Sequence, residues 1–239
     1  MTAVARDGSA APTQGRAEQR PFKLPKGATE VVLVRHGASA AAIPGSPFPL
    51  LGGRSNPDLS ELGQRQAEAV CRRLAKEKIG KLFVSPLRRT SITIAPLASA
   101  TGLEPTVVDN LAEVWLGDWE GGEYRVREAS GDPIVQRAFE EERWDIIPGG
   151  ESNESLAQRV RAAIESVVAA TGPDAIAVAV AHGAVIGEAC RQATGSRPFA
   201  FVHSDNGSLT RIVVAGDGRW TLRTFNDVAH LYDVEAPEG

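Results

Sequence analysis

Glu30-Val31-Val32-Leu33-Val34-Arg35-His36-Gly37 is the stretch from which the fold can be read. Val31 to Val34 is an apolar, β-branched run, the mark of a strand buried on both faces of a sheet. It ends abruptly at a guanidinium and an imidazole, which no buried strand accommodates. Gly37 then lets the backbone turn sharply and approach a ligand closely. A rigid strand therefore presents Arg35 and His36 at its C-terminal edge, where open α/β sheets bind ligands. Ala175-Ile-Ala-Val-Ala-Val-Ala-His-Gly183 repeats the arrangement, with His182 at the strand end.

Working outward, the remaining segments alternate between the two periodicities. The proline-bearing stretch from Ala38 to Gly53 is expected to be irregular, and to serve either as a substrate wall or as a hydrophobic loop folded on the core. A helix opens at Ser60, its N-cap, and runs to about Lys78. Lys81–Ser85 reads as a short strand, with Pro86 at the first position of the next helix. Arg88 and Arg89 fall in the first turns of that helix, where cations oppose the macrodipole, so positive charge is needed there. A third strand at 106–109 leads into Leu111–Gly122, rich in Trp, Gly and carboxylates. Helical segments to about Trp144, a helix over 153–171, a strand at 175–181, a helix over 184–194 and a hairpin turning at Gly216-Asp217-Gly218 complete the pattern. The fold class is therefore α/β: a three-layer αβα arrangement with a mainly parallel sheet and an antiparallel edge strand.

With 239 residues and 42% hydrophobic content, one domain can bury a full core. We expect a disordered tail over 1–28, a single domain over 29–232 and a short C-terminal tail over 233–239. The net charge of -4 argues against a nucleic-acid partner. The N-terminal segment lacks the apolar core of a secretory signal, and no apolar run is long enough to cross a membrane. Cys71 and Cys190 are read as buried thiols in a reducing compartment, so the expected location is cytoplasmic. Asp118, Glu120 and Glu123 read as solvated loop charges, and His203 and His230 as structural.

The strand-end groups Arg35, His36, Arg89 (or Arg88) and His182, with Glu113 on a loop within reach, suit phosphoryl transfer. A neutral imidazole is a competent nucleophile at neutral pH. Its obstacle is the charge on a phosphate ester, which arginine forks and a second histidine offset. The leaving alkoxide needs a proton, a task for a carboxylic acid such as Glu113. Two alternatives stay open at this level. One is a metal site built from His36, His182 and Glu113, which the neighbouring guanidinium charges oppose. The other is a phosphate-binding module without turnover.

Taken in order, these segments resemble the histidine phosphatase superfamily, the phosphoglycerate mutase-like proteins. The similarity is carried by Leu33-Val34-Arg35-His36-Gly37, Leu59-Ser60-Glu61-Leu62-Gly63 with Gln66-Ala67, and Ser85-Pro86-Leu87-Arg88-Arg89 with Thr93. It continues through Leu111-Ala112-Glu113 with Gly117, Trp119, Glu120 and Gly121, and through Pro148-Gly149-Gly150-Glu151-Ser152 with Arg159. Ala181-His182-Gly183 and Asn226-Asp227 with His230-Leu231 complete it. The resemblance implies that His36 is phosphorylated and Glu113 donates the proton, with His182 assisting. It also implies that Arg35, Arg89 and His182 bind the phosphoryl group, and that Ser39 lies where many members keep a hydroxyl able to touch it. It selects Arg89 over Arg88, implies neither cofactor nor metal, points to a small phosphorylated metabolite as partner, and allows a homodimer. Ala42 replaces an asparagine that many members carry, and the mutases' longer central insertion is absent. Both departures favour hydrolysis of a phosphomonoester over mutase chemistry.

Overall fold

The computed structural model describes residues 19–235. In chain order the strands are β1 (Thr29–Arg35), β2 (Leu50–Leu51), β3 (Arg54–Ser55), β4 (Ile79–Val84), β5 (Pro105–Val107), β6 (Ala175–Ala181), β7 (Leu209–Val214) and β8 (Trp220–Asp227). The α-helices are α1 (Glu61–Leu74), α2 (Arg88–Thr101), α3 (Glu123–Ala129), α4 (Pro133–Glu140), α5 (Asn153–Thr171), α6 (Gly183–Thr194) and α7 (Tyr232–Glu235). The main sheet has the order β5-β4-β6-β1-β7-β8. β5, β4, β6 and β1 run parallel, β7 runs antiparallel to β1, and β8 returns along it as the edge.

β1 and β6 lie side by side at the sheet centre, paired from Thr29↔Ala175 to Arg35↔Ala181. This register brings the two strand ends, and with them His36 and His182, to the same level. Val31 to Val34 are wholly buried, each contributing about 1.5–3 kcal/mol relative to exposure. Their alternation divides the core. Val31 and Leu33 pack with α5 and α6, whereas Val32 and Val34 pack with α1 and α2. On β6 the small residues Ala177, Ala179 and Ala181 face α5 and α6, while Val178 and Val180 face α1 and α2.

Several local expectations shift. Pro86 does not open α2. That helix begins at Arg88 after an extended Leu87, because the Ser85 hydroxyl accepts the Leu87 N–H at 3.2 Å and turns the chain first. The stretch expected to be wholly irregular contains β2, which pairs with β3 around Gly52 and Gly53. Both glycines have positive φ, 54° and 82°, as a two-residue hairpin of this hand requires. Nor does this loop fold its apolar residues onto the core, since Ile43, Leu50 and Leu51 are 62%, 55% and 45% exposed. Of the tail expected over 1–28, residues 1–18 lie outside the described residues, as do 236–239 at the other end. Nearer the domain the chain is anchored: the Arg223 guanidinium covers the Phe22 ring, Gly27 N–H donates to Asp174 at 2.8 Å, and Ala28 is buried. Among the described residues no helix is long and apolar enough to cross a membrane.

Candidate active site

The turn after β1 is held from four sides. Arg35 N–H donates to Ser208 O, His36 N–H to Ala181 O, Gly37 N–H to Thr93 Oγ1 at 3.0 Å, and Ala38 N–H to Gln66 Oε1 at 2.8 Å. Gly37 packs directly on the first turn of α1, where a Cβ would meet the Gly63 carbonyl oxygen at 2.3 Å. Only glycine allows the two backbones to come so close. Asn206 Nδ2 donates to the His36 carbonyl at 2.8 Å and locks the loop before β7 to the same turn.

The ring of His36 is buried, and both of its nitrogens are engaged. Nδ1 lies 2.7 Å from the Gly37 carbonyl, which can only accept, so Nδ1 carries the proton. Arg89 Nε donates to Nε2 at 3.1 Å, which requires a lone pair there. Burial first, then the charges of Arg89 and Arg35, hold the His36 pKa well below the ordinary histidine value. The His182 ring lies 5.0 Å from that of His36 at 61°. It is fully buried, its Nε2 is 2.7 Å from Ser85 Oγ, and its Nδ1 has no partner among the described residues. Burial and Arg89 likewise depress its pKa.

Arg89 is buried and Arg88 is not; Arg88 turns outward to pair with Asp58 at 2.6 Å. Besides meeting His36, Arg89 donates to the Ser55 carbonyl at 2.8 Å, and burial lowers its pKa to about 10, still cationic at neutral pH. The Arg35 guanidinium donates through Nη1 to the Ser204 carbonyl and leaves Nε without a partner among the described residues. Ser39 Oγ accepts from Arg125 Nη2 at 2.8 Å. Glu113 follows the short helical turn Asp109–Leu111, and its Oε1 accepts the Val114 N–H at 2.9 Å. The backbone behind Glu113 is gripped by Arg159, which donates to the carbonyls of Asn110, Ala112 and Glu113 and pairs with Glu151 at 2.8 Å.

Arg35, His36, Ser39, Arg89 and Glu113 line one cavity of about 440 Å³, with His182 buried directly behind His36. The six expected residues are thus brought together from four segments: the end of β1 with its turn, the start of α2, the Glu113 loop and the end of β6. The metal arrangement does not assemble, because among the described residues no three His, Cys, Asp or Glu side chains are placed to hold one ion. No motif marks the individual residues of the remaining cavity wall: Arg54, Arg125, Glu128, and the aromatic side made by Tyr124, Phe139 and Trp144. His203, read as structural, also lines it, stacked on Phe139. Glu120 is not a solvated charge; it accepts from Ser55 N–H, Ser55 Oγ and Leu116 N–H, joining β3 to the Glu113 loop.

A computed profile of the histidine phosphatase superfamily, branch 1, matches residues 31–228. A bifunctional protein of Mycobacterium tuberculosis is 31% identical over 206 residues, covering 85% of this chain and 55% of that protein. The chain thus spans little more than half that relative's length. A metal-independent phosphoserine phosphatase of Arabidopsis thaliana is 31% identical over 221 residues, covering 89% of this chain and 87% of the relative. Among solved structures, mycobacterial glucosyl-3-phosphoglycerate phosphatase superposes with a TM-score of 0.69 at 29% identity, covering 83% of this chain and 99% of that one. Two strand-end imidazoles between two arginines, and a profile match running from β1 into the segment after β8, place this chain in the histidine phosphatase superfamily.

Proposed function

We propose that the protein hydrolyses small phosphomonoesters through a phosphohistidine on His36. The observation that carries this reading is the tautomer of His36, whose Nδ1 is pinned as donor by the Gly37 carbonyl while Nε2 holds a lone pair toward Arg89. The ester's phosphoryl group enters beside that nitrogen and draws the guanidinium of Arg89 onto its oxygens, with Arg35 and His182 taking others and Ser39 at the rim. With the Ser85 hydroxyl donating to Nε2 of His182, Nδ1 carries a free N–H for a phosphoryl oxygen. Cations and donors fixed before substrate arrives stabilise the transferring group at little reorganisation cost.

His36 Nε2 attacks phosphorus, the ester P–O bond breaks, and Glu113 gives its proton to the departing alkoxide. Water then attacks the phosphohistidine and yields its proton to the Glu113 carboxylate. Phosphate leaves and restores both residues. We assign this activity to the domain over 29–232, acting on a phosphorylated metabolite in the cytoplasm, where the thiols of Cys71 and Cys190 stay free. The relatives named for phosphoserine and glucosyl-3-phosphoglycerate support a small phosphomonoester as substrate.

Release of phosphate from 4-nitrophenyl phosphate, in the presence of a chelator, tests the reading, together with a phosphoenzyme trapped by a denaturant quench that is stable in alkali and lost in acid. Glu113→Gln should slow esters of poor leaving groups by about 10²–10⁴-fold and 4-nitrophenyl phosphate far less. Equal slowing of both would take Glu113 out of the proton-donor role.

A further inference from the structure

Two arginines flank the Glu113 loop, and they are employed in opposite ways. Arg159 is saturated: it makes five hydrogen bonds, to both oxygens of Glu151 and to the carbonyls of Asn110, Ala112 and Glu113. Arg54, half-buried in the cavity wall, makes no hydrogen bond and no ion pair among the described residues, and its Nη1 is closed off from solvent without a partner. An arginine kept for structure satisfies its donors, and an unsatisfied buried donor costs about 1–3 kcal/mol. The carboxylates of Glu151, Glu120 and Glu113 attract its charge, but none accepts a hydrogen bond from it. Both oxygens of Glu120 are taken by Ser55 and Leu116, and both of Glu151 by Arg159, Ser155 and Trp115.

Arg54 is nonetheless held in place. Its guanidinium sits 5.3 Å from the centre of the Trp115 ring. Gly53, at φ 82°, packs so closely on that ring that a Cβ would lie 2.6 Å from it. The adjoining Ser55 is tied to Arg89 through its carbonyl and to Glu120 through its N–H. Arg54 therefore lines the cavity near Glu113, the group that protonates the alcohol part of the ester. The phosphoryl oxygens already have Arg35, Arg89 and His182.

We propose that Arg54 binds an anionic group on the alcohol portion of the substrate, so that the preferred esters are those of acidic alcohols. This rests on the phosphatase reading above and narrows it. A carboxylate, or a second phosphate, would take the guanidinium's free N–H groups in a charge-assisted fork.

The test is phosphate release by the full chain from matched esters. 3-Phosphoglycerate against glycerol 3-phosphate, and O-phosphoserine against O-phosphoethanolamine, each differ by one carboxylate. Fructose 1,6-bisphosphate against fructose 6-phosphate adds a second phosphate instead. The wild-type chain should favour the acidic member by about 10–100-fold in kcat/KM, in the carboxylate pairs, the phosphate pair or both, which identifies the anion. Arg54→Gln should bring that ratio close to one, mainly through KM, and Arg54→Lys should keep part of it. A ratio of one or less in all three pairs of the wild-type chain overturns the proposal, as does a ratio that Arg54→Gln leaves unchanged. Because each readout is a ratio, general loss in a variant cancels, and the wild-type ratios decide alone if a variant does not fold. Undiminished hydrolysis of 4-nitrophenyl phosphate by His36→Ala would instead refute the underlying phosphatase reading.

Discussion

The turns that end β1 and β6 are near twins in sequence, each an apolar strand closed by His-Gly, yet they hold their imidazoles in different ways. His36 has both nitrogens committed, Nδ1 to a backbone carbonyl and Nε2 to a guanidinium. His182 is tied through Nε2 to the Ser85 hydroxyl, and its Nδ1 is unpaired among the described residues. A ring whose protonated nitrogen is fixed by a carbonyl keeps a lone pair on the other and is prepared as a nucleophile. A ring held by a hydroxyl can carry its proton on the nitrogen that faces the anion, and is prepared as a donor. The difference lies in the second ring nitrogen's partner, not in the residue.

Substitutions should widen or erase this asymmetry in a definite order. His36→Ala removes the nucleophile, and we expect a loss of about 10⁴-fold or more in kcat together with disappearance of the phosphoenzyme. His182→Ala removes a donor only, so the loss should be about 10²–10³-fold with the phosphoenzyme still trapped. If the two variants lose equal activity and neither forms phosphoenzyme, the division of labour is wrong. Ser85→Ala takes away the partner that orients His182, and a further step down, to about 10-fold, is expected in kcat/KM. Unchanged kinetics in that variant would show that Ser85 does not set the tautomer.

The smallest effect is thermodynamic and is shared by both rings. Each is buried neutral with its pKa depressed, so the unfolded chain binds protons that the folded chain refuses. The stability they contribute is complete above the unfolded histidine value of about 6.5 and is lost as pH falls below it toward the depressed folded values. Melting temperatures should therefore decline from pH 7 to pH 5, and the decline should be shallower in the His36→Ala, His182→Ala double variant. An identical slope in that variant would assign the pH dependence to other groups.

How much of this was legible in the chain depends on how local each cause is. Strands announce themselves through Val31 to Val34 and Ala175 to Ala181 because burial on both faces demands continuous apolar residues. The helix start at Ser60 was equally local, since its hydroxyl caps its own first turn. Pro86 misled because the competing bond, Ser85 Oγ to Leu87 N–H, redirects the chain before the helix begins. Glu120 was misread because its partners, Ser55 and Leu116, include one that lies 65 residues away. Arg54 and Arg125 carried no motif at all; what sets them apart is the company they lack or keep in space.

By itself the sequence determined an α/β chain whose two central strands each end in a histidine, with arginines and an acid spaced for phosphate chemistry. Periodicity, turn residues and side-chain type are properties of neighbours along the chain, and these conclusions need nothing else. Only the tertiary structure decided which nitrogen of His36 holds the proton, and which guanidinium beside Glu113 is left with donors to spare. Those properties depend on hydrogen-bond partners contributed by distant segments, and on how completely the surrounding packing removes water from each charge.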